Sequence, residues 1–184
     1  MADLNVLPVD LPVPVADGAC THLLGMCLPK IALAATSGQL VEIFALPRTT
    51  IIYCYPMTGR PGISLPAGWD EIPGARGCTP QSCAFRDHYQ ELQSMGVDVY
   101  GVSTQTSEHQ HEALDRLHLP FPLLSDVDLN LARALELPTF EIDSMTLIKR
   151  LTMIVAGGVI KKVFYPVFPP DKNAEEVIEW LKHQ

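Results

Sequence analysis

The chain has 184 residues, 47% of them hydrophobic, with 13 basic and 21 acidic residues giving a formal net charge of −8. A chain of this length fits one domain, buries about two-thirds of the surface its unfolded form exposes, and needs no disulfide to fold. The acidic balance repels phosphate backbones and anionic lipid, and aromatics at only 7% offer few stacking platforms, which argues against nucleic-acid and membrane-surface partners.

The purely apolar runs are far shorter than the ~18 residues a membrane span requires. The first basic residue is Lys30, and the opening MADLNVLPVDLPVPVADGAC is acidic rather than Arg-rich. It resembles neither a secretion signal nor a transit peptide, so a cytoplasmic protein is expected. Five cysteines, an odd number, do not suggest a secreted disulfide framework. In a reducing compartment a close cysteine pair points to redox, catalytic or metal chemistry.

Residues 1–22 read as an N-terminal arm. Pro8, Pro12 and Pro14 interrupt any helix there, and Val6, Leu7, Val9, Leu11, Val13 and Val15 offer apolar contacts to the body. The remaining 23–184 read as one domain. Segments 31–36 and 39–44 flank Ser37-Gly38 and predict a hairpin. The β-branched run 49–55 predicts a strand buried on both faces. Residues from about 57 to 77 are rich in Pro and Gly and have no period. A loop of this length inside a compact domain is unusual and reads as functional or inserted. A helix is expected over 79–95, with Phe85, Tyr89 and Leu92 on one face and Gly96 ending it.

Strand 97–104, helix 107–117, strand 123–126 and helix 129–137 follow. A hairpin of 151–156 and 159–167 and a helix over 171–182 close the chain. Residues 138–150 are left without an element. Strands alternating with helices imply an α/β fold, with a mixed central sheet and helices on both faces.

The chemistry concentrates in GCTPQSCAFRD, residues 77–87. Thr79-Pro80 reads as an N-cap followed by a proline in the first helical position. Cys78 then sits at the helix start, where free N–H groups and the positive dipole end favour a thiolate, the nucleophilic form. Cys83 lies five residues on. If both are helical, their Cα atoms are about 8–9 Å apart, beyond the ~7 Å a disulfide allows, so bonding them requires the first turn to unwind. A zinc site is the competing chemistry, but a second ligand pair at zinc spacing is absent. His88, His109, His111 and His118 read as solvated helix residues.

At these residues the chain resembles the Q-type peroxiredoxins, also called bacterioferritin comigratory proteins. The resemblance continues through IIYCYP, GVDVYGVST, LPFPLLSD and RLTMIV ahead of Gly157-Gly158, and spans roughly residues 24–184. It implies a thioredoxin-like fold and thiol peroxidase activity needing no metal, flavin or haem. By position, Cys78 matches the peroxidatic cysteine, Cys83 the resolving cysteine, and Arg150 the arginine beside the thiolate. It further implies hydrogen peroxide or organic hydroperoxides as substrates, thioredoxin or glutaredoxin as reductant, and a monomer or homodimer. A redox sensor or holdase using the same cysteine pair is the alternative reading.

One departure is large. The family runs Pro-x-x-x-Thr-x-x-Cys after its Tyr-Pro, whereas here the insertion separates Tyr55-Pro56-Met57-Thr58 from Cys78. The position three before Cys78 is Ala75, which has no hydroxyl. Pro56, a folded-back Thr58 and Arg76 are the candidates for positioning substrate. Arg76 reads first as an exposed loop charge, with added positive charge at the site as its alternative role. Trp69, Asp70 and Glu71 read as a substrate lip or partner surface. Cys54 reads as a small core residue. Cys20 and Cys27 carry a second, weaker disulfide reading. Gln81 and Arg86 recur in the family's helix, though capping or surface pairing explains them equally well.

Overall fold

A computed structural model describes residues 3–184; the first two residues of the expected arm lie outside it. The strands are β1 (Ala32–Ala35), β2 (Leu40–Glu42), β3 (Thr49–Cys54), β4 (Val97–Ser103), β5 (Leu123–Ser125), β6 (Thr139–Ile142), β7 (Met145–Ile148), β8 (Leu151–Ala156) and β9 (Val159–Phe164). The helices are α1 (Cys78–Asp87), α2 (Tyr89–Ser94), α3 (Ser107–Leu117), α4 (Asn130–Ala134) and α5 (Asn173–Lys182). Seven strands form one sheet in the order β2-β1-β5-β4-β3-β8-β9. The central pairs β3/β4 and β4/β5 are parallel, and the flanking pairs are antiparallel. This is the expected mixed sheet, with the terminal hairpin at one edge. Among the described residues no helix is long and apolar enough to cross a membrane.

Alternation along the central strands divides the core in two. Ile51, Tyr53 and Tyr55 face a layer built from α1, α2 and α5, with Phe85, Leu92, Val177 and Ile178. Ile52 and Cys54 face the opposite layer, with Leu23, Leu131, Leu135 and Met153. The same parity in β8 places Thr152 and Ile154 on the α1/α5 side and Leu151, Met153 and Val155 on the other. Arg150, two residues before Thr152, shares the α1/α5 side.

Several boundaries differ from expectation. The single helix over 79–95 is two, because His88 leaves helical geometry at φ −95°, ψ 2°. Its carbonyl still accepts from Leu92 N–H at 3.1 Å, so Phe85 and Leu92 both stay fully buried. The helix over 129–137 shrinks to α4. Asp126 caps it by accepting from the Leu131 and Ala132 N–H groups, each at 2.9 Å, and Glu136 at φ +49° ends it.

The unassigned stretch before Arg150 is the β6–β7 hairpin, turned by Asp143 and Ser144 at φ +46° and +63°. It is the platform for the insertion. Trp69 and Ala75 pack with Leu147 into a small separate core, and the Trp69 and Phe140 rings lie 6.1 Å apart. Apart from one 3-10 turn at Trp69–Glu71, the insertion has no regular structure.

Candidate active site

Gly77, not Thr79, is the N-cap of α1: its carbonyl accepts from Gln81 N–H at 3.0 Å. Cys78 therefore occupies the first helical position and Pro80 the third. Proline is tolerated there because the first turn's N–H groups have no intrahelical acceptor. Phe85 anchors the helix on the sheet by stacking on Tyr53 at 4.7 Å and 19°. Tyr53 in turn donates from its hydroxyl to Ser82 Oγ at 3.1 Å.

Cys78 is 3% exposed. Arg150, equally buried, donates from Nη2 to its sulfur at 3.2 Å. Four further acceptors fix the guanidinium. Nη2 also donates to the Ala75 and Arg76 carbonyls at 3.1 Å each, Nε donates to Gly74 O at 3.3 Å, and Nη1 donates to Gln81 Oε1. A rigid planar fork can serve the turn before the helix, the helix itself and the sulfur at once, which a flexible ammonium cannot. A fixed guanidinium beside the sulfur offers donors to a peroxide oxygen as charge develops on it.

Gln81 is thus neither a surface residue nor a helix cap. It is fully buried, and its Nε2 donates to Asn173 Oδ1 at 3.0 Å. Thr152 Oγ1 donates to the same oxygen at 2.6 Å. The sequence reading missed Asn173 and Thr152. A signal for Asn173 was present: it lies four residues before Val177 on the inward stripe of α5, where an apolar residue would be ordinary.

The other candidates are dispersed. Cys83 is half-buried on α1, and burial pushes its thiol up from the usual range, opposed by Arg86. It opens onto a hollow shared with Asn5, Leu7 and Pro80. Arg86 serves the helix surface, donating to Asp87 and to Leu117 O at 2.8 Å each. Pro56 is buried at the end of β3. The Thr58 hydroxyl donates to Gln105 Oε1 at 3.1 Å, and the Thr58 carbonyl meets His109 Nε2 at 2.9 Å and Gln105 Nε2 at 3.2 Å. None of these contacts reaches the sulfur.

The exposed-charge reading of Arg76 is corrected. Arg76 is 6% exposed, because the insertion and the arm fold over it: Nη1 pairs with Asp70 at 3.2 Å and Nη2 donates to Asp3 O at 2.7 Å. Its side chain ties loop to arm, while its backbone carbonyl serves Arg150. His109 is half-buried rather than fully solvated. Burial lowers its pKa below the ordinary 6.5, helped by Arg60 and Arg116 and opposed by the Thr58 carbonyl and Glu112.

Trp69 is buried, while Asp70 and Glu71 line a cleft of about 770 Å³ between the arm, the insertion and the end of α3. All five cysteines are free. Cys54 is fully buried and its thiol is pushed up by burial; Cys20 is 4% exposed and pushed up to about 12 for the same reason. Cys27 is exposed, so it and Cys20 lie in different environments and are unbonded.

The sequence profile of the family described as Redoxin matches residues 23–178. The chain belongs to the redoxin family. Peroxiredoxin Q, chloroplastic, of Sedum lineare is 29% identical over 160 residues, covering 86% of this chain and 77% of that protein. Its counterpart in Oryza sativa subsp. japonica is also 29% identical, covering 86% of this chain and 66% of its own. Within the redoxin family, the chain is a Q-type peroxiredoxin. Among solved structures, PrxQ of Xylella fastidiosa superposes with a TM-score of 0.70 at 20% identity, over 87% of this chain and 95% of that one. The bacterioferritin comigratory protein of Xanthomonas campestris gives 0.64 at 19%, over 95% and 98%. These two confirm the thioredoxin-like peroxiredoxin fold.

Proposed function

We propose that this peroxiredoxin reduces hydroperoxides through Cys78 as the peroxidatic cysteine, with Arg150 as its electrostatic partner and Cys83 as the resolving cysteine. The observation that carries the reading is the 3.2 Å contact between Arg150 Nη2 and the Cys78 sulfur at the first position of α1. The sulfur attacks the near oxygen of the peroxide. An S–O bond forms, the O–O bond breaks, and the departing oxygen takes a proton and leaves as water or alcohol, with Cys78 a sulfenic acid.

Both cysteines lie in one continuous helix. Five residues correspond to a rise of about 7.5 Å, so their sulfurs meet only after the first turn opens. Cys83 then attacks the sulfenic sulfur, an S–S bond forms and the hydroxyl leaves as water. An external dithiol protein, thioredoxin or glutaredoxin, restores both thiols by exchange. In this reading the Arg150 guanidinium supplies the donors that the family's threonine hydroxyl would otherwise share.

Single-turnover kinetics of two variants test the roles. Cys78→Ser abolishes peroxide consumption. Cys83→Ser consumes one equivalent and stops as sulfenic acid, unable to accept electrons from thioredoxin through an internal disulfide. Undiminished turnover by Cys78→Ser overturns the assignment, and exchanged phenotypes reverse the two roles.

A further inference from the structure

The start of α5 is packed against the start of α1 at two points. Pro170 lies against Gly77, so closely that a β-carbon on Gly77 would overlap its ring. One turn on, Asn173 meets Gln81. The corner 170–173 thus braces the turn that carries Cys78.

The polarity of the buried chain at this corner is forced from one end. A guanidinium only donates, so Arg150 Nη1 requires Gln81 to present its oxygen. That turns the Gln81 amide nitrogen toward α5, where Asn173 must present its own oxygen in reply. Thr152, on β8 two residues beyond Arg150, donates to that same oxygen and fixes it from the sheet side. Asn173 is fully buried, and its oxygen is the group that holds the far end of Gln81.

We infer that Asn173 is a positioning residue for peroxide reduction: through Gln81 it fixes the orientation of the Arg150 guanidinium toward the Cys78 sulfur and the peroxide bound there. The inference rests on the proposed role of Cys78 and Arg150. Gln81 without its anchor can rotate. Arg150 keeps its three carbonyl acceptors but loses the side-chain contact that sets its tilt, and sub-ångström errors at a reacting centre are expensive in rate.

The test compares two reagents on the full chain. Peroxide reduction depends on the aim of the guanidinium, whereas alkylation by iodoacetamide needs only an accessible, reactive thiolate. Asn173→Ala is expected to lower the second-order rate of Cys78 with hydrogen peroxide by about 10-fold or more, with its iodoacetamide rate within about threefold of wild type. Thr152→Val, which nearly preserves shape and removes only the hydroxyl that steadies Asn173, is expected to show the same selective loss in weaker form. It carries the test if Asn173→Ala does not fold.

Equal peroxide rates in wild type and both folded variants overturn the inference, as does a parallel change in both reagents, which marks simple loosening of the helix. A wild type that does not react with peroxide through Cys78 overturns the proposed function instead, so the two failures are distinguishable.

Discussion

Replacing Gly77 by alanine probes how tightly the reactive turn is built. Gly77 has φ +103°, outside the range a residue with a side chain adopts at ease. The left-handed side of the map costs an L-residue about 1–2 kcal/mol. The added methyl would overlap Pro170 Cγ and sit 2.8 Å from Leu7 Cδ2. Pro170 is a rigid ring at the base of α5, so it cannot swing aside as the end of a flexible side chain would. Overpacking of this kind costs about 1–3 kcal/mol. Alanine recovers about 0.4–1 kcal/mol by restricting the unfolded chain. The net expectation is a loss of about 1–5 kcal/mol. For a chain of this size that lowers Tm by roughly 2–20 °C. Urea denaturation followed by far-UV dichroism reads the loss, and peroxide kinetics on the folded variant read the accompanying shift of Cys78. A Gly77→Ala protein within about 0.5 kcal/mol of wild type would refute the claim that Pro170 and Leu7 clamp this turn.

Three other outcomes follow from the same geometry. Trp69→Ala removes the centre of the small core under the insertion and should cost about 3–5 kcal/mol of local stability, read as faster hydrogen exchange over residues 139–148; unchanged exchange would separate the insertion from the hairpin. The folded-state pKa of His109 lies below the 6.5 of a free histidine, so the unfolded chain binds the proton first. Stability should therefore fall as pH drops below 6.5 toward the folded value. His109→Gln should flatten that part of the profile measured by denaturation at successive pH values, and an unaltered slope would assign the effect elsewhere. Cys20 and Cys54 should resist iodoacetamide in the native state and react only on unfolding, because burial disfavours both thiolates; rapid native labelling of either, followed by peptide mass analysis, would contradict their core placement.

The sheet was legible in the sequence because its strands carry their own signals. The β-branched run at 49–55 and the Gly157-Gly158 turn needed no tertiary information. The start of α1 was two residues off because Thr79-Pro80 is a good local capping signal, and Gly77, held in its positive φ by the corner at Pro170, overrode it. The β6–β7 hairpin was passed over although its strands alternate and its turn is two polar residues, since neither Asp143 nor Ser144 is the glycine that usually marks such a turn. The burial of Arg76 and Gln81 and the partial burial of His109 were not legible. Each is polar, and each is covered by a segment remote in sequence: the arm and insertion for Arg76, α5 for Gln81, and the Thr58 loop for His109. Charge and periodicity along one element do not report what folds over it.

The most direct test of the account is mass analysis of the reduced protein after one equivalent of hydrogen peroxide. The account predicts a loss of two hydrogens per chain, traced by digestion to a bond between Cys78 and Cys83, with Cys20, Cys27 and Cys54 still free. An oxidised chain whose Cys78 remains a thiol, or whose new disulfide joins other cysteines, would contradict it.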